Sequence, residues 1–577
     1  MSSREVVTLQ IGHYSNYVGS HWWNIQESSF IYDPKLAPVQ KDIDHDVLFR
    51  EGKNLRGEVT YTPRLVAFDL KGSLNTLKQE GSLYDHRHQE EIRWTGDVTL
   101  HQEDGADKNP YLLDLEKEEQ LYMKDNTGSN NSQESIDDVE IKDSGSEVKE
   151  RKQKSSDAGI RNKFYKLDDS VTVWSDYLRT FLHPKSIHVI EKYRHKNDLQ
   201  PFDIYGCGQE VMADYETRIE VEDRLHFFIE ECDHLQGFHV LLDTFDGFGG
   251  LGSHVLQHLE DEYSSKGIFT FGLTPNNLPD DTPQKRANRI LNSAISYSKC
   301  WSNSSLFVPM CLANSLWKTI GPPVQLSHLQ YKSLDYHTSA ILAATLDSVT
   351  SPYRQPAVLH MRDLTDTFQS IGRKMASVST SFPYPIHEDQ FLVDSLMSIG
   401  NDLPWVSLTP HVKNTVNPFL QSTVVRGISN NIAKRSVQDE RSPHQFRTCQ
   451  TVDDVLQMYL RDRFPTTHSD GTVLRDPCKV VSPYPHIFDP NVSKNGFLSS
   501  TKRADFQGVE SVPVMTSLQS TSDTVELLQT LHTEASKLNI HKHHRYLAAG
   551  IEEDDYVEIL ANFETLQHCY EEPGDMG

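Results

Sequence analysis

No apolar run in this 577-residue chain approaches the ~18 residues needed to span a bilayer, so any membrane association has to be peripheral or carried by a partner. Positive charge is scarce. The 56 Lys and Arg against 82 Asp and Glu leave a formal charge of -26, which argues against binding to nucleic-acid backbone or to anionic lipid. Paired cysteines are missing as well: the seven (Cys207, Cys232, Cys300, Cys311, Cys449, Cys478 and Cys569) are scattered, odd in number and without a CxxC, which fits a reducing compartment better than a disulfide framework. The histidine-rich stretches at 86–88 and 541–544 have no carboxylate or cysteine at matched spacing, so they read as surface histidines and no metal site is expected. A targeting peptide is not expected either, because Glu5 comes early, Arg is not enriched, and residues 6–11 read as a strand. Residues 12–19 lack a GxGxxG, which disfavours a dinucleotide oxidoreductase.

What is present points to an α/β protein with a central, mostly parallel sheet, in a chain long enough for two or three domains. The most informative stretch is 232–275, read as a buried strand (238–242), a glycine-rich turn (246–252), an amphipathic helix from Ser253 and a second buried strand (268–273). Gly247, Gly249, Gly250 and Gly252 would permit a sharp turn with positive φ, and Ser253 sits where an N-cap would. Free N–H groups at such a turn and helix start form a ready anion site, so Gly249, Gly250, Gly252 and Ser253 are candidate phosphate ligands.

Other segments fall into place around this unit. Gly12, His13 and Asn16 form a first strand-to-helix corner, and the helix beyond carries Val18, Trp22 and Trp23. Residues 65–70 read as a strand with Asp69 at its carboxyl end, where ligands gather in open α/β sheets. Residues 125–159 are polar and acidic with almost no aliphatic content, and are expected to be a disordered insertion. Helical periodicity is expected at 171–182 and again before Cys232. Residues 384–515 are loop-rich, and two helical patterns follow them. The division expected is 1–124 and 160–383 for the nucleotide-binding-type domain around the 125–159 insertion, 384–515 for a smaller α+β domain, and 516–577 for C-terminal helices.

CDHLQGF with GGLGS (232–253) is similar to tubulin's CDxLQGF and GGGTGSG, whose loop grips nucleotide phosphates. REVVTLQIGHYSNYVGSHWW (4–23) resembles the tubulin start, with Gly12, Asn16 and Gly19 in register, and YTPRLVAFDLKGSL (61–74) resembles tubulin's YxPRAxxVDLEP segment. The divergent HYSNYVGSHWWN together with this tubulin-like middle resembles the misato family more closely than tubulin itself.

The resemblance implies a tubulin-like fold with GTP or GDP as the candidate cofactor. Gly12, His13, Asn16 and Asp69 would lie at the phosphates, and Asn303, with Asn292, falls on base-reading asparagines. Lys71 replaces an acidic residue that helps tubulin hold Mg²⁺, and its ammonium could meet the phosphates directly. YGCGQEV from Tyr205 takes the place of a second phosphate-contacting turn. Asp366 matches the acidic residue that tubulin offers to the next subunit's nucleotide, and is the one weak catalytic candidate in a degenerate GTPase-type site. For the misato family the implied role is non-enzymatic: mitochondrial distribution, morphology and fusion or network formation, in the cytoplasm and peripherally at the mitochondrial outer membrane, through protein partners there or on the cytoskeleton. The alternative is a GTP-binding, polymerising GTPase of cytoskeleton or spindle.

Overall fold

The structure, a computed structural model, describes residues 4–31, 41–53, 57, 59–77, 79, 107–126, 163–278, 282–356, 359–414, 417–428, 446 and 449–571. Of the expected insertion only 125 and 126 are described, at the end of helix Pro110–Asn126. The rest of it, and the histidines at 86–88, lie outside the described residues.

Strand β1 (Val6–Ile11) is followed by the antiparallel hairpin of β2 (Phe49–Lys53) and β3 (Val59–Pro63), then by β4 (Leu65–Lys71), β5 (Ile187–Arg194), β6 (Gly237–Asp243), β7 (Gly267–Leu273) and β8 (Leu306–Met310). Six of these make one sheet in the order β5-β4-β1-β6-β7-β8, parallel throughout. Counting only its own members, the order is 3-2-1-4-5-6. The chain therefore winds outward from β1 to one edge and returns on the other side of β1, which leaves a crevice at the carboxyl ends of β1 and β6.

Strand residues alternate between two cores. Leu65, Ala67, Leu241, Phe269, Phe271 and Val308 face one, built with Trp22, Trp23 and helix Asp335–Val349. Val66, Phe68, Val240, Leu242, Ile268 and Phe307 face the other, built with helices Tyr215–Glu230, Phe248–Tyr263, Pro283–Asn303 and the C-terminal pair Thr524–Ser536 and Glu553–Tyr570. Helices cover both faces, which is why these strands read as near-continuous apolar runs rather than as alternating ones.

The second sheet is formed by β9 (Ser377–Ser381), β10 (Val406–Ser407), β11 (Leu420–Arg426), β12 (His468–Leu474) and, after a short ladder of β13 (Cys478–Lys479) with β14 (Ser511–Val512), β15 (Val514–Ser520). Its order is β10-β9-β15-β11-β12, antiparallel except for β11 with β12. It thus begins before residue 384 and ends after 515. Nothing in composition marks β9 or β15 as partners.

Helix Asp335–Val349 packs between the two sheets, touching the first helix, His13–Ser28, on one side and β11 and β15 on the other. All of 336–349 is buried. A helix buried all round has no solvent face for its hydroxyls, so Ser339, Thr345 and Ser348 donate to the carbonyls of Asp335, Ile341 and Ala344 one turn back. Near its end Asp347 is a junction. Its Oδ1 accepts from Trp22 Nε1 (3.2 Å), Arg354 Nη2 (2.9 Å) and Gln26 Nε2, while its Oδ2 accepts from Arg426 Nη1 of the second sheet. The seven cysteines are all free, and among the described residues no helix is long and apolar enough to cross a membrane.

Candidate functional site

The crevice between β1 and β6 opens where Ile11 pairs with Leu242, so the next residues on the two strands, Gly12 and Asp243, lie side by side. Gly12 has φ +130°, and a Cβ on it would stand 2.3 Å from Asp243 Cγ. Only glycine fits there. Helix His13–Ser28 starts immediately after and has no N-capping side chain and no acidic residue in its first turn. Asp243 supplies both from the neighbouring strand: Oδ2 accepts Tyr14 N–H (2.9 Å), and Oδ1 accepts Ser15 N–H (2.8 Å) and Ser15 Oγ–H (2.6 Å). A fixed carboxylate therefore occupies the position at which a helix N-terminus would hold an anion. Burial drives the Asp243 carboxyl up to about 7, while the hydrogen bonds from Ser15 and Tyr14 favour its ionised form.

The glycine segment differs from the expected turn. The helix runs Phe248–Tyr263, so Gly249, Gly250 and Gly252 lie inside it, and none of the four glycines has positive φ. Ser253 is not an N-cap: its buried hydroxyl donates to Gly249 O at 2.7 Å. The segment from Tyr205 is likewise a helix, Tyr205–Ala213, and not a loop. The glycines exist for close approach. A Cβ on Gly250 would lie 1.9 Å from Tyr205 O, one on Gly208 2.0 Å from Gly247 O, one on Gly249 2.1 Å from Ser296 Oγ, and one on Gly252 2.3 Å from Leu242 Cδ1. The N–H groups at this helix start are also engaged within the chain, Gly247 N–H with Phe202 O (3.2 Å) and Phe248 N–H with Asp246 Oδ1 (2.9 Å).

Asn292 ties these pieces together. Its Nδ2 donates to Asp203 O (2.9 Å) and Phe245 O (2.8 Å), and its Oδ1 accepts Tyr205 N–H and Tyr546 O–H, each at 2.7 Å. Asn303, at the far end of the same helix, leads into the start of β8 and so stands at the amino end of the sheet, away from Gly12. Asp366 is at that end too, on helix Met361–Phe368, exposed and held by Arg362 Nε (3.2 Å) and Gln369 Nε2 (2.6 Å). Lys71 is exposed and paired with Glu191 on the edge strand β5. Sequence reasoning thus gathered ten candidates; the fold brings Gly12, His13, Asn16 and Asp69 together, sets Gly249, Gly250, Gly252 and Ser253 in the helix that follows β6, and leaves Lys71 and Asn303 elsewhere.

Asp69 lies one strand over from Gly12, on β4. Its Oδ2 takes His13 Nδ1 (2.9 Å), Trp174 Nε1 (2.7 Å) and Asn16 Nδ2 (3.2 Å), and its Oδ1 takes Leu70 N–H (2.7 Å). Burial alone would raise this carboxyl and lower the imidazole. The mutual attraction of His13 and Asp69 outweighs both, so Asp69 is held below the usual carboxylate range and His13 above its own. Around them, burial pushes Asp246 well up and Asp335 up. Of these acids only Asp69 is held toward its charged form, while burial favours the neutral acid at Asp246 and Asp335.

Trp174 reaches Asp69 because 171–182 is not the helix its spacing predicts: only the 3₁₀ turn Trp174–Tyr177 forms. Asp176 Oδ2 draws in the N–H groups of Thr172 (2.7 Å) and Val173 (3.0 Å), which turns the chain before a helix can propagate. Sequence reasoning missed Trp174, Asp243, Asp246 and His195. For Asp243 the signal was available, since an aspartate closing an apolar strand is what singled out Asp69.

Residues 4–117 match the Misato Segment II tubulin-like domain and residues 166–355 match the Tubulin domain. A zebrafish (Danio rerio) protein named misato homolog 1 is 37% identical over 98% of this chain and 97% of its own length. Its human namesake is 36% identical over 99% and 98%, and the Drosophila melanogaster protein misato is 28% identical over 98% of each chain. Identity of this order over nearly the whole length, on a tubulin-like six-stranded sheet, leaves one assignment: the chain belongs to the misato family.

Proposed function

We propose that this chain is a non-enzymatic, tubulin-like protein that acts in mitochondrial distribution, morphology and fusion or network formation. It works in the cytoplasm and peripherally at the mitochondrial outer membrane, through protein partners. The observation that carries the non-enzymatic reading is Asp243, whose carboxylate takes Tyr14 and Ser15 N–H groups at the start of the first helix. Hydrolysis of a nucleoside triphosphate needs phosphates and a bridging metal held in place. Here Phe202 O and Asp246 occupy the N–H groups of the second helix start, and Lys71 is engaged by Glu191. The mitochondrial role rests on membership of the misato family, and a negatively charged chain with no spanning helix among the described residues suits attachment through other proteins.

The purified protein is expected to release no guanine nucleotide on denaturation, and to stay in the supernatant when sedimented with excess GTP. Nucleotide recovered near one equivalent per chain would show that the crevice still holds phosphates, and its turnover to GDP would overturn the non-enzymatic reading. In cells depleted of the protein, the mitochondrial network is expected to change and to be restored by the wild-type chain. An unchanged network would remove the mitochondrial assignment.

One observation favours the polymerising alternative. Asp366 and the Gly12 crevice stand at opposite ends of the sheet, the arrangement that head-to-tail stacking requires. GTP-dependent filaments in the same sedimentation would establish it.

A further inference from the structure

Three adjacent strands end near one point. His13 follows β1, Asp69 closes β4 and His195 follows β5, and one ligand atom from each lies within 4.8 Å of the other two. The placement is built by the backbone. His195 N–H donates to Lys71 O at 2.9 Å, which holds its ring over the end of β4, 4.0 Å from the His13 ring, centroid to centroid. Asp69 is fixed by Trp174, Asn16 and its neighbour Leu70.

One atom in this cluster has no partner. His195 Nε2 is buried and makes no hydrogen bond. An orphaned buried polar atom is costly, so a site that keeps one needs an account of what satisfies it. A phosphate oxygen does not suit, since a carboxylate oxygen of Asp69 lies within 4.8 Å of a ring nitrogen of His195. A cation suits on both counts: it accepts the nitrogen lone pair, and the Asp69 carboxylate beside it is attractive. His13 and Lys196 are the opposing charges acting on His195, and a bound ion would displace the proton of His13.

The donors select the class of ion. Two imidazoles and one carboxylate make a mixed nitrogen and oxygen set of intermediate softness, suited to zinc and its first-row neighbours and not to Mg²⁺ or Ca²⁺, which take oxygen ligands. Metal–nitrogen distances of about 2.0–2.1 Å in a tetrahedron put ligand atoms about 3.3 Å apart, so small ring rotations would close the cluster. The His13 side chain is 19% exposed, which leaves the cluster a path to solvent. Trp174 and Asn16 already hold the carboxylate as outer partners of a metal ligand do.

We propose that His13, Asp69 and His195 form a three-ligand site for a divalent transition ion of the zinc class, with the fourth position left to water or to a partner's ligand. The full-length protein, stripped with chelator, is titrated with Co²⁺ and followed by its visible ligand-field absorption, with Zn²⁺ used to displace it. One ion per chain is expected, displaced by Zn²⁺ and not by excess Mg²⁺. His195→Gln, which preserves size at a partly exposed position, should weaken binding at least tenfold, and Asp69→Asn should do the same. The double variant His543→Gln/His544→Gln removes two of the three histidines of the 541–544 stretch and should leave binding unchanged. Circular dichroism melts of each variant separate loss of the site from loss of the fold. Equal binding by wild type and folded His195→Gln, loss of binding only in the surface variant, or no absorption band in the wild type would each overturn the proposal.

Discussion

Asp347→Ala is expected to destabilise the protein by about 3–5 kcal/mol, a large share of the total stability of an ordinary domain. The carboxylate is the counter-charge for two guanidiniums that cannot reach water: the Arg354 and Arg426 side chains are 1% and 6% exposed. Truncation leaves both charges buried and unpaired, and strips Trp22 Nε1 and Gln26 Nε2 of their acceptor as well. The cost comes from that asymmetry and not from any special strength of the ion pairs, since replacing every member of a buried charged group by apolar residues of similar volume is often close to neutral. The sign of the pH dependence follows. Burial pushes Asp347 up, but Arg354 and Arg426 outweigh it and hold its carboxyl below the usual aspartate range. Its contribution is complete above the unfolded aspartate value of about 3.9 and is lost as pH falls through the lower folded value. Chemical denaturation of wild type and variant at neutral pH and in acid checks both statements. A loss below about 1 kcal/mol at neutral pH would show that the arginines find other partners.

Gly250→Ala separates two lines of reasoning, because they differ in sign. Helix propensity alone makes alanine better than glycine in a helix interior by about 0.8–1 kcal/mol. The structure calls for a loss of about 3 kcal/mol or more, because the new Cβ would lie 1.9 Å from Tyr205 O, 3.0 Å from Tyr205 C and 3.1 Å from Gln209 N. All three are backbone atoms of the facing helix, so no side chain can swing aside and the helices must part. Gly267→Ala is the matched control. Its nearest atom is Cγ of Met361 at 3.3 Å, on a flexible side chain, and a change under about 1.5 kcal/mol is expected there. A Gly250→Ala protein as stable as wild type would mean that the two helices stand further apart than described.

These two sites also mark where sequence reading stops. The strands were legible because each is an apolar run bounded by turn residues, and helices such as Tyr215–Glu230 were legible because Val221, Leu225 and Phe228 repeat at helical spacing. A glycine cluster after a strand carries no such internal evidence. Positive φ in a turn and close contact in a helix leave the same letters, and what decides between them is the helix Tyr205–Ala213, some forty residues upstream. At 171–182 the aromatic spacing mimics a helix, yet Trp174 is directed at Asp69 and Tyr177 O–H at Tyr17 O (2.8 Å), contacts that local periodicity does not encode. Within the crevice, Gly12, His13, Asn16 and Asp69 were found through the resemblance to tubulin, with Asp69 also marked as an aspartate near the end of an apolar strand. His195 was not, since its part depends on β5 lying beside β4, a pairing across more than a hundred residues.

Helix Asp335–Val349 has a mechanical consequence. At fifteen residues it is about 22 Å long. Its first turn is pinned to the crevice by Tyr14 O–H on Thr338 Oγ1 (2.9 Å), and its last turn is clamped to the second sheet by Asp347 and Arg426. A strut fixed at both ends and packed on both sides offers no hinge. Rocking of one sheet against the other, the usual way for a two-domain protein to report an event at a cleft, would have to break this helix or shear both interfaces at once. The two sheets are expected to move together, so that an event at the crevice would be visible only at the residues of its rim.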